Sequence, residues 1–420
     1  MKKLLLIPAA VAAVLLLWLA LASAARRPSS GEPPSLLDSC RGQGPLTVGA
    51  AAVPLPLGVA PSIAGFPRLR WTAAGERDPL AVRALVIEEP GCSVALVSAE
   101  ILLVPWALTA AVEHQAGALG ISRVVLAATH THAGPGGYWD SFVGGRIATG
   151  PYHPAAFSRL AEAVVRALRE AQAARRPARL QVGVGDARDL VWNRDDSEVD
   201  GRLVSVRFTD AAGATIAALA VLGSHATLLG SGNRLLSGDW PGALMRGAGA
   251  PLLFFQGALG DQSARAPGAP TPEGYAGAVA ARLAETALSE PDAQPPFAVA
   301  RASAALPPLA PGALPAPLRS ATGSLFAGEL PSTARVTAVR LGPVTLLAVP
   351  AEPVEEVARA WRDSAGAGAE VLSLADDYAG YVEAPERMAR GEGETRRTYY
   401  GPELAARLQA ALSLAAGATR

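Results

Sequence analysis

The chain has 420 residues, 50% of them hydrophobic and 18% charged, enough apolar material for a large core in one extended domain or two. Its 37 basic and 37 acidic residues cancel. With no basic excess, nucleic acid is excluded as the expected partner.

Residues 1–24 read as a targeting segment. Lys2 and Lys3 precede an apolar run from Leu4 to Ala22, and Ala22-Ser23-Ala24 is a small-x-small cleavage pattern. The run is also about as long as a spanning helix needs, and Arg26 and Arg27 follow it, so an uncleaved N-terminal anchor is the alternative. Either way the body is expected to be exported: periplasmic, extracellular, or anchored to the outer face of the inner membrane. Residues 25–46, rich in Pro, Ser and Gly, read as a tether. Cys40 and Cys92 are the only cysteines, and in an exported chain two cysteines can form one disulfide.

The body, 47–420, alternates strand-like and helix-like stretches, which predicts an α/β fold with mixed β-sheets flanked by helices. Residues 81–88 and 92–98 are apolar runs separated by the turn Glu89-Pro90-Gly91, a hairpin signal. A helix is expected over 107–119. The β-branched run 121–128 then opens into Thr129-His130-Thr131-His132-Ala133-Gly134-Pro135-Gly136-Gly137, where the glycines and the proline end the strand. On a strand of period two, His130 and His132 would share one face. Residues 157–174 form the clearest amphipathic helix, with apolar positions three and four apart.

Strands are expected over 180–185 and 202–208, with Asn193-Arg194 in a polar stretch between them. The run 217–223 ends in Ser224-His225, and 251–255 opens into Gln256-Gly-Ala-Leu-Gly-Asp-Gln-Ser263. A helix near 274–288 precedes a Pro- and Ala-rich stretch, 291–334, that reads as a long irregular excursion with room for short strands. Strands at 335–341 and 344–349 follow, the second ending in Pro350-Ala351-Glu352. A helix over 353–364, a strand at 369–374 leading to Tyr378 and Tyr381, and a helix over 401–416 complete the chain.

The recurring pattern is an apolar strand that ends in a chemically active side chain: His130 with His132, His225, Ser263, Glu352, and Tyr378 with Tyr381. Strand ends are where catalytic groups collect in α/β folds. Histidines with a carboxylate suit Zn2+, which takes N and O ligands and brings the pKa of water toward neutrality. On chemistry alone the ligand candidates are His130, His132, His225 and Glu352, since tyrosine is an unusual zinc ligand. Asp239 and Asp261 each follow a glycine in a loop, where turn formation or capping accounts for them.

These motifs together resemble the catalytic domain of the neutral/alkaline non-lysosomal ceramidases, zinc amidases that cleave the N-acyl bond of ceramide. The similarity rests on Thr129 to Gly137, Asn193-Arg194 with the turn Asp210 to Gly213, and His225 followed by Ser237-Gly238-Asp239. It continues through Gln256 to Ser263, Val349 to Glu352, and Tyr378 to Tyr381, in the family's order over roughly 47–410. The resemblance implies that His130, His225, Glu352 and Tyr381 hold zinc and that His132 acts as base or proton shuttle. It further implies that Arg194 and Tyr378 position the substrate or polarise its carbonyl. Ser263 matches a serine assigned as nucleophile, although attack by water would need it only as a hydrogen-bonding partner.

The expected partner is a ceramide-like lipid, with a membrane surface nearby. The sequence departs from the family where Ala264-Arg265 follow Ser263 in place of Pro-Asn, and no C-terminal immunoglobulin-like domain is expected. Two rival readings stay open. One is a zinc hydrolase of another N-acyl or ester substrate on the same scaffold. The other is a catalytically silent lipid-binding protein, which would predict a broken ligand set.

Overall fold

A computed structural model describes residues 31–420 apart from 60, 196, 266–270, 316–317, 320–322 and 324–327. The expected targeting segment lies outside the described residues. Among the described residues no helix is long and apolar enough to cross a membrane.

Three sheets surround a common core. The first runs, in spatial order, Val124–Ala128, Cys92–Ala99, Ala81–Glu89, Thr47–Pro54 and Arg176–Pro177. The second runs Leu252–Gln256, Thr215–Leu222, Arg202–Thr209 and Arg179–Asp186, and the third Ser35–Arg41, Phe297–Ala305, Thr333–Leu341, Val344–Ala348 and Ala369–Leu372. Side-chain alternation decides which face goes where. Along Ala81–Glu89, Leu85 and Ile87 join Val206, Leu219 and Phe255 of the second sheet and Val299, Val339 and Leu346 of the third in one shared cluster. Val82, Ala84 and Val86 point the other way, against Val164 and Leu168 of the helix Pro154–Ala173. Trp361 and Leu408 cover the outer face of the third sheet, and Trp240 and Tyr275 that of the second. Each large apolar side chain buried this way is worth about 1.5–3 kcal/mol, so the three sheets are held by a core that none could build alone.

Each sheet contains one parallel pair. Val124–Ala128 runs beside Ala95–Ala99, Leu252–Gln256 beside Ala218–Leu222, and Ala369–Leu372 beside Thr345–Ala348. A parallel pair brings two carboxyl ends to the same edge, so the loops leaving those ends share one region.

The expected elements are found with ends moved by a few residues, and two expectations are corrected. Ser35–Arg41, expected within a tether, is an edge strand paired antiparallel with Phe297–Ala305. Cys40 and Cys92 form a disulfide, with Cα atoms 5.2 Å apart, that joins this strand to the first sheet. The supposed excursion 291–334 contains the nine-residue strand Phe297–Ala305 at the heart of the third sheet. Its five alanines have short side chains and weak strand propensity, and pairing on both sides supplies what propensity does not.

Candidate active site

The strand before the first histidines ends at Ala128. Beyond it the backbone turns: His130 has φ +64°, a left-handed conformation costly for a side chain with a Cβ. The same-face argument from strand period therefore does not apply, because the two histidines are not on a strand. The turn is held by His130 N–H donating to the Ile101 carbonyl at 3.1 Å and His132 N–H to the Ala226 carbonyl at 3.2 Å. The glycine-rich loop is a packing requirement, since a Cβ on Gly136 would lie 2.0 Å from the Thr149 carbonyl oxygen.

His225 follows the strand Thr215–Leu222, and its N–H donates to the Gln262 carbonyl at 3.1 Å. Glu352 and Tyr381 are direct neighbours in a two-residue parallel pairing, Glu352–Pro353 with Tyr381–Val382. Ser263 is not at the end of the strand Leu252–Gln256. It lies in its own short strand, Gln262–Ala264, paired with Val191–Asn193, and bridges to His225.

The side chains converge. His130 Nε2 and His225 Nε2 lie 3.2 and 3.3 Å from Glu352 Oε2, and His225 Nε2 is 2.9 Å from the Tyr381 hydroxyl. His132 Nε2 is 3.2 Å from His130 Nε2. One nitrogen from each of His130, His132 and His225 lies within 4.8 Å of the others, so these residues could hold a metal ion.

The protons can be assigned. His130 Nδ1 faces the Leu102 carbonyl at 2.8 Å and His225 Nδ1 the Gln262 carbonyl at 3.0 Å. A carbonyl only accepts, so His130 carries its proton on Nδ1. His225 Nδ1 faces both its carbonyl and the donor-only Arg194 Nη1 at 3.1 Å, and the Tyr381 phenol 2.9 Å from its Nε2 supports the same tautomer. Both Nε2 lone pairs are thereby turned toward Glu352 Oε2. That oxygen is buried and has no donor. Three electron-rich atoms facing one another in a buried site are what a cation would satisfy, so the residues present fit a metal. His132 differs, because its Nδ1 is buried with no partner and nothing orients the ring as the carbonyls orient the other two.

Tyr378 donates to Glu352 Oε1 at 2.7 Å, and its ring packs edge-on against Trp139 and Tyr399. Burial, reinforced by the Glu352 charge, pushes the Tyr378 phenol well above its ordinary range, so it stays a donor. Burial holds the His132 imidazole well below its ordinary range. The His225 imidazole is pushed down to about 4 by burial and by Arg194. Arg194 Nη1 lies 3.1 Å from His225 Nδ1 and donates to Ser263 Oγ at 3.3 Å, while Nη2 donates to the Gly260 carbonyl and to Glu394 at 2.6 Å.

Arg194 is thus largely engaged within the protein. Its carboxylate partner, the buried Glu394, gave no signal in the sequence, because a glutamate in Gly393-Glu394-Thr395 reads as an ordinary loop charge. Phe66, whose ring sits 4.8 Å from that of His132, was equally unmarked. Neighbouring Gly65 has φ +114°, and a Cβ there would lie 2.3 Å from the His132 carbonyl oxygen. Asp261 fills the structural role expected of it, accepting from Asn193 and from the Glu355 N–H at the start of the helix Glu355–Ala365.

The fold is that of the neutral ceramidases. The chain superposes on the crystal structure of the Pseudomonas aeruginosa neutral ceramidase with a TM-score of 0.75 and 22% identity, covering 89% of this chain and 74% of that one. It superposes on a ceramidase complexed with C2 at 0.74 and 20% identity, covering 89% and 75%.

Residues 58–246 match the family described as neutral/alkaline non-lysosomal ceramidase, N-terminal, and the resemblance read from the motifs is thereby shown. Among curated relatives, the P. aeruginosa neutral ceramidase is 28% identical over 163 residues, 34% of this chain and 24% of that protein. Neutral ceramidase A of Dictyostelium discoideum is 29% identical over 132 residues, 28% and 18% respectively. The matched stretch thus spans a quarter or less of these relatives.

Proposed function

We propose that this chain is a zinc-dependent amidase that cleaves the N-acyl bond of ceramide or a related N-acyl lipid, releasing a fatty acid and an amine. The observation that carries the reading is the convergence of the His130 and His225 Nε2 atoms on the buried Glu352 Oε2, with the Tyr381 hydroxyl 2.9 Å from His225 Nε2. The family supplies the substrate class. His130, His225, Glu352 and Tyr381 would hold the ion, a nitrogen and oxygen set that suits zinc. When bound, zinc supplies a Lewis acid that makes water a competent nucleophile near neutral pH.

The rest is done by the chain's own residues. His132, neutral and with no carbonyl fixing its Nδ1, is free to take a proton from the attacking water and return it to the leaving nitrogen. Tyr378 fixes the Glu352 carboxylate through Oε1, and Oε2 would remain to help hold the ion. Arg194 sits between His225, Ser263 and Glu394 and holds the His225 ring neutral. Among the described residues, Arg194 is the one side chain within hydrogen-bond distance of Ser263 Oγ. A serine nucleophile needs a base, so the geometry favours Ser263 as a hydrogen-bonding partner. Export by the N-terminal segment, placing the site on the outer side of a membrane, belongs to the same proposal.

The test is fatty-acid release from a short-chain ceramide by the purified chain, with and without a zinc chelator. Release that the chelator abolishes and added zinc restores is expected. No release from protein holding one zinc per chain would keep the metal site and move the substrate to another N-acyl compound or ester.

A further inference from the structure

Gln256 is fully buried and ends the strand Leu252–Gln256 of the second sheet. Its side-chain amide does not touch the ligand cluster. Nε2 donates to the Thr129 carbonyl at 3.0 Å and to the Ser224 carbonyl at 2.8 Å, and Oε1 accepts from the Ser224 N–H at 3.1 Å. Thr129 and Ser224 are the residues immediately before His130 and His225. The backbone carbonyl of Gln256 accepts from Ser373 N–H at 2.8 Å, just past the strand Ala369–Leu372 of the third sheet. The next residue, Leu374, donates to the carbonyl of Ala351, immediately before Glu352.

One residue therefore touches the departure points of all three sheets toward the cluster. Both donor hydrogens of the amide are used, and its oxygen accepts one hydrogen bond. Of the common side chains, only a glutamine has this length together with both donor and acceptor character. A carboxylate could accept from Ser224 but would face two carbonyl oxygens with nothing to donate, and a thioether of the same length could do neither.

We propose that Gln256 is a positioning residue for the metal centre: its amide ties the backbone before His130 to the backbone before His225 and so sets the spacing of the two Nε2 atoms. The inference rests on the zinc reading above. It assigns to the first residue of the Gln256–Ser263 motif a role distinct from that of Ser263. Outer partners that orient metal ligands typically change metal affinity by about 10–100-fold when removed, and Gln256 acts on two ligands at once.

The experiment compares wild type, Gln256→Met, Gln256→Glu and Ser373→Ala. The last removes a buried hydrogen bond next to the amide, from Ser373 Oγ to the Gly257 carbonyl, without touching the amide itself. The zinc dissociation constant is measured by competition with a chromophoric chelator, and the Tm of the metal-free protein is measured alongside it. A role confined to stability would lower Tm in all three variants and leave zinc affinity alone. The expected result is zinc affinity about 10–100-fold weaker in both Gln256 variants and unchanged in Ser373→Ala.

Zinc binding at the wild-type constant in Gln256→Met or Gln256→Glu would overturn the positioning role while leaving the metal centre in place. Failure of both to fold would also overturn it, by making Gln256 a requirement of the fold. If wild type itself took up no zinc, the reading beneath would fail first, and the two failures are distinct.

Discussion

Within the site, the finest distinctions turn on single protons and single partners. His130 and His225 each give an Nδ1 proton to a carbonyl; His132 does not, and on the proposed reading this distinguishes two ligands from a base in a cluster that composition alone treats as three equal histidines. From chemistry alone the sequence favoured all three as ligands with Glu352. The tautomers and the Tyr381 contact with His225 instead support the division that the family resemblance implied. The same logic makes Ser263 testable. Loss of a nucleophile costs on the order of 10⁶-fold in kcat, whereas loss of one hydrogen bond costs about 1–2 kcal/mol, roughly 5–30-fold. Ser263→Ala is expected to keep one zinc per chain and lose activity in the second range. Single-turnover measurement of fatty-acid release would decide, and a fall of several orders of magnitude with zinc retained would restore the serine as nucleophile.

At the scale of elements, legibility followed side-chain alternation. The helix Pro154–Ala173 and the strands of the first two sheets announce themselves because one face is apolar and the other packs a different layer. Ser35–Arg41 does not. It is an edge strand exposed along most of its length, and its order comes from partners distant in sequence. Arg301 and Arg123 both pair with Asp38, and the disulfide closes on Cys92. Phe297–Ala305 was hidden by its alanines, and Glu394 by its ordinary surroundings. The site was legible as a set of strand ends, but the left-handed turn at His130 was not, since nothing local demands it. The edge strand also carries a prediction. The bridge spans 52 residues of chain, so it constrains the unfolded state by about 4 kcal/mol on loop-entropy grounds. Replacing both cysteines with serine is expected to cost about 2–4 kcal/mol of stability, seen as a lower urea midpoint, and to leave zinc content unchanged. Loss of zinc in that variant would show that the edge strand and the site are coupled.

Across the whole molecule, the cluster is where three sheets end, so its charge state acts on all of them together. In the metal-free chain the His225 imidazole is held down to about 4, against 6.5 for an ordinary histidine, and His132 lies well below its ordinary range too. Both are buried as neutral rings, whereas in the unfolded chain they take up protons as pH falls through 6.5. Between pH 6.5 and 4 the unfolded state therefore binds more protons at these two rings, and their contribution to stability falls as the pH falls. Glu89 and Glu355, pushed up to about 7 by burial, and Asp377, pushed up to about 6, act in the opposite sense. Above 6.5 the histidine contribution is fully present; below 4 the His225 share is fully lost, an amount on the order of 3 kcal/mol. On the proposed reading zinc would compete with protons for the same nitrogens, so a saturating ion is expected to add stability at pH 7.5, about 2.7 kcal/mol at a hundredfold excess over its Kd, and less as the pH falls. Urea midpoints of the metal-free chain at pH 7.5 and 5, each repeated with zinc, test both halves. Because the raised carboxyls oppose the histidines, the histidine share is read as a difference. Between pH 7.5 and 5 wild type is expected to lose more stability, or gain less, than His225→Asn, and the zinc increment is expected to shrink at pH 5. An identical pH response in wild type and His225→Asn would mean that His225 is not buried as a neutral ring, and the proton assignment on which the site is built would have to be reversed.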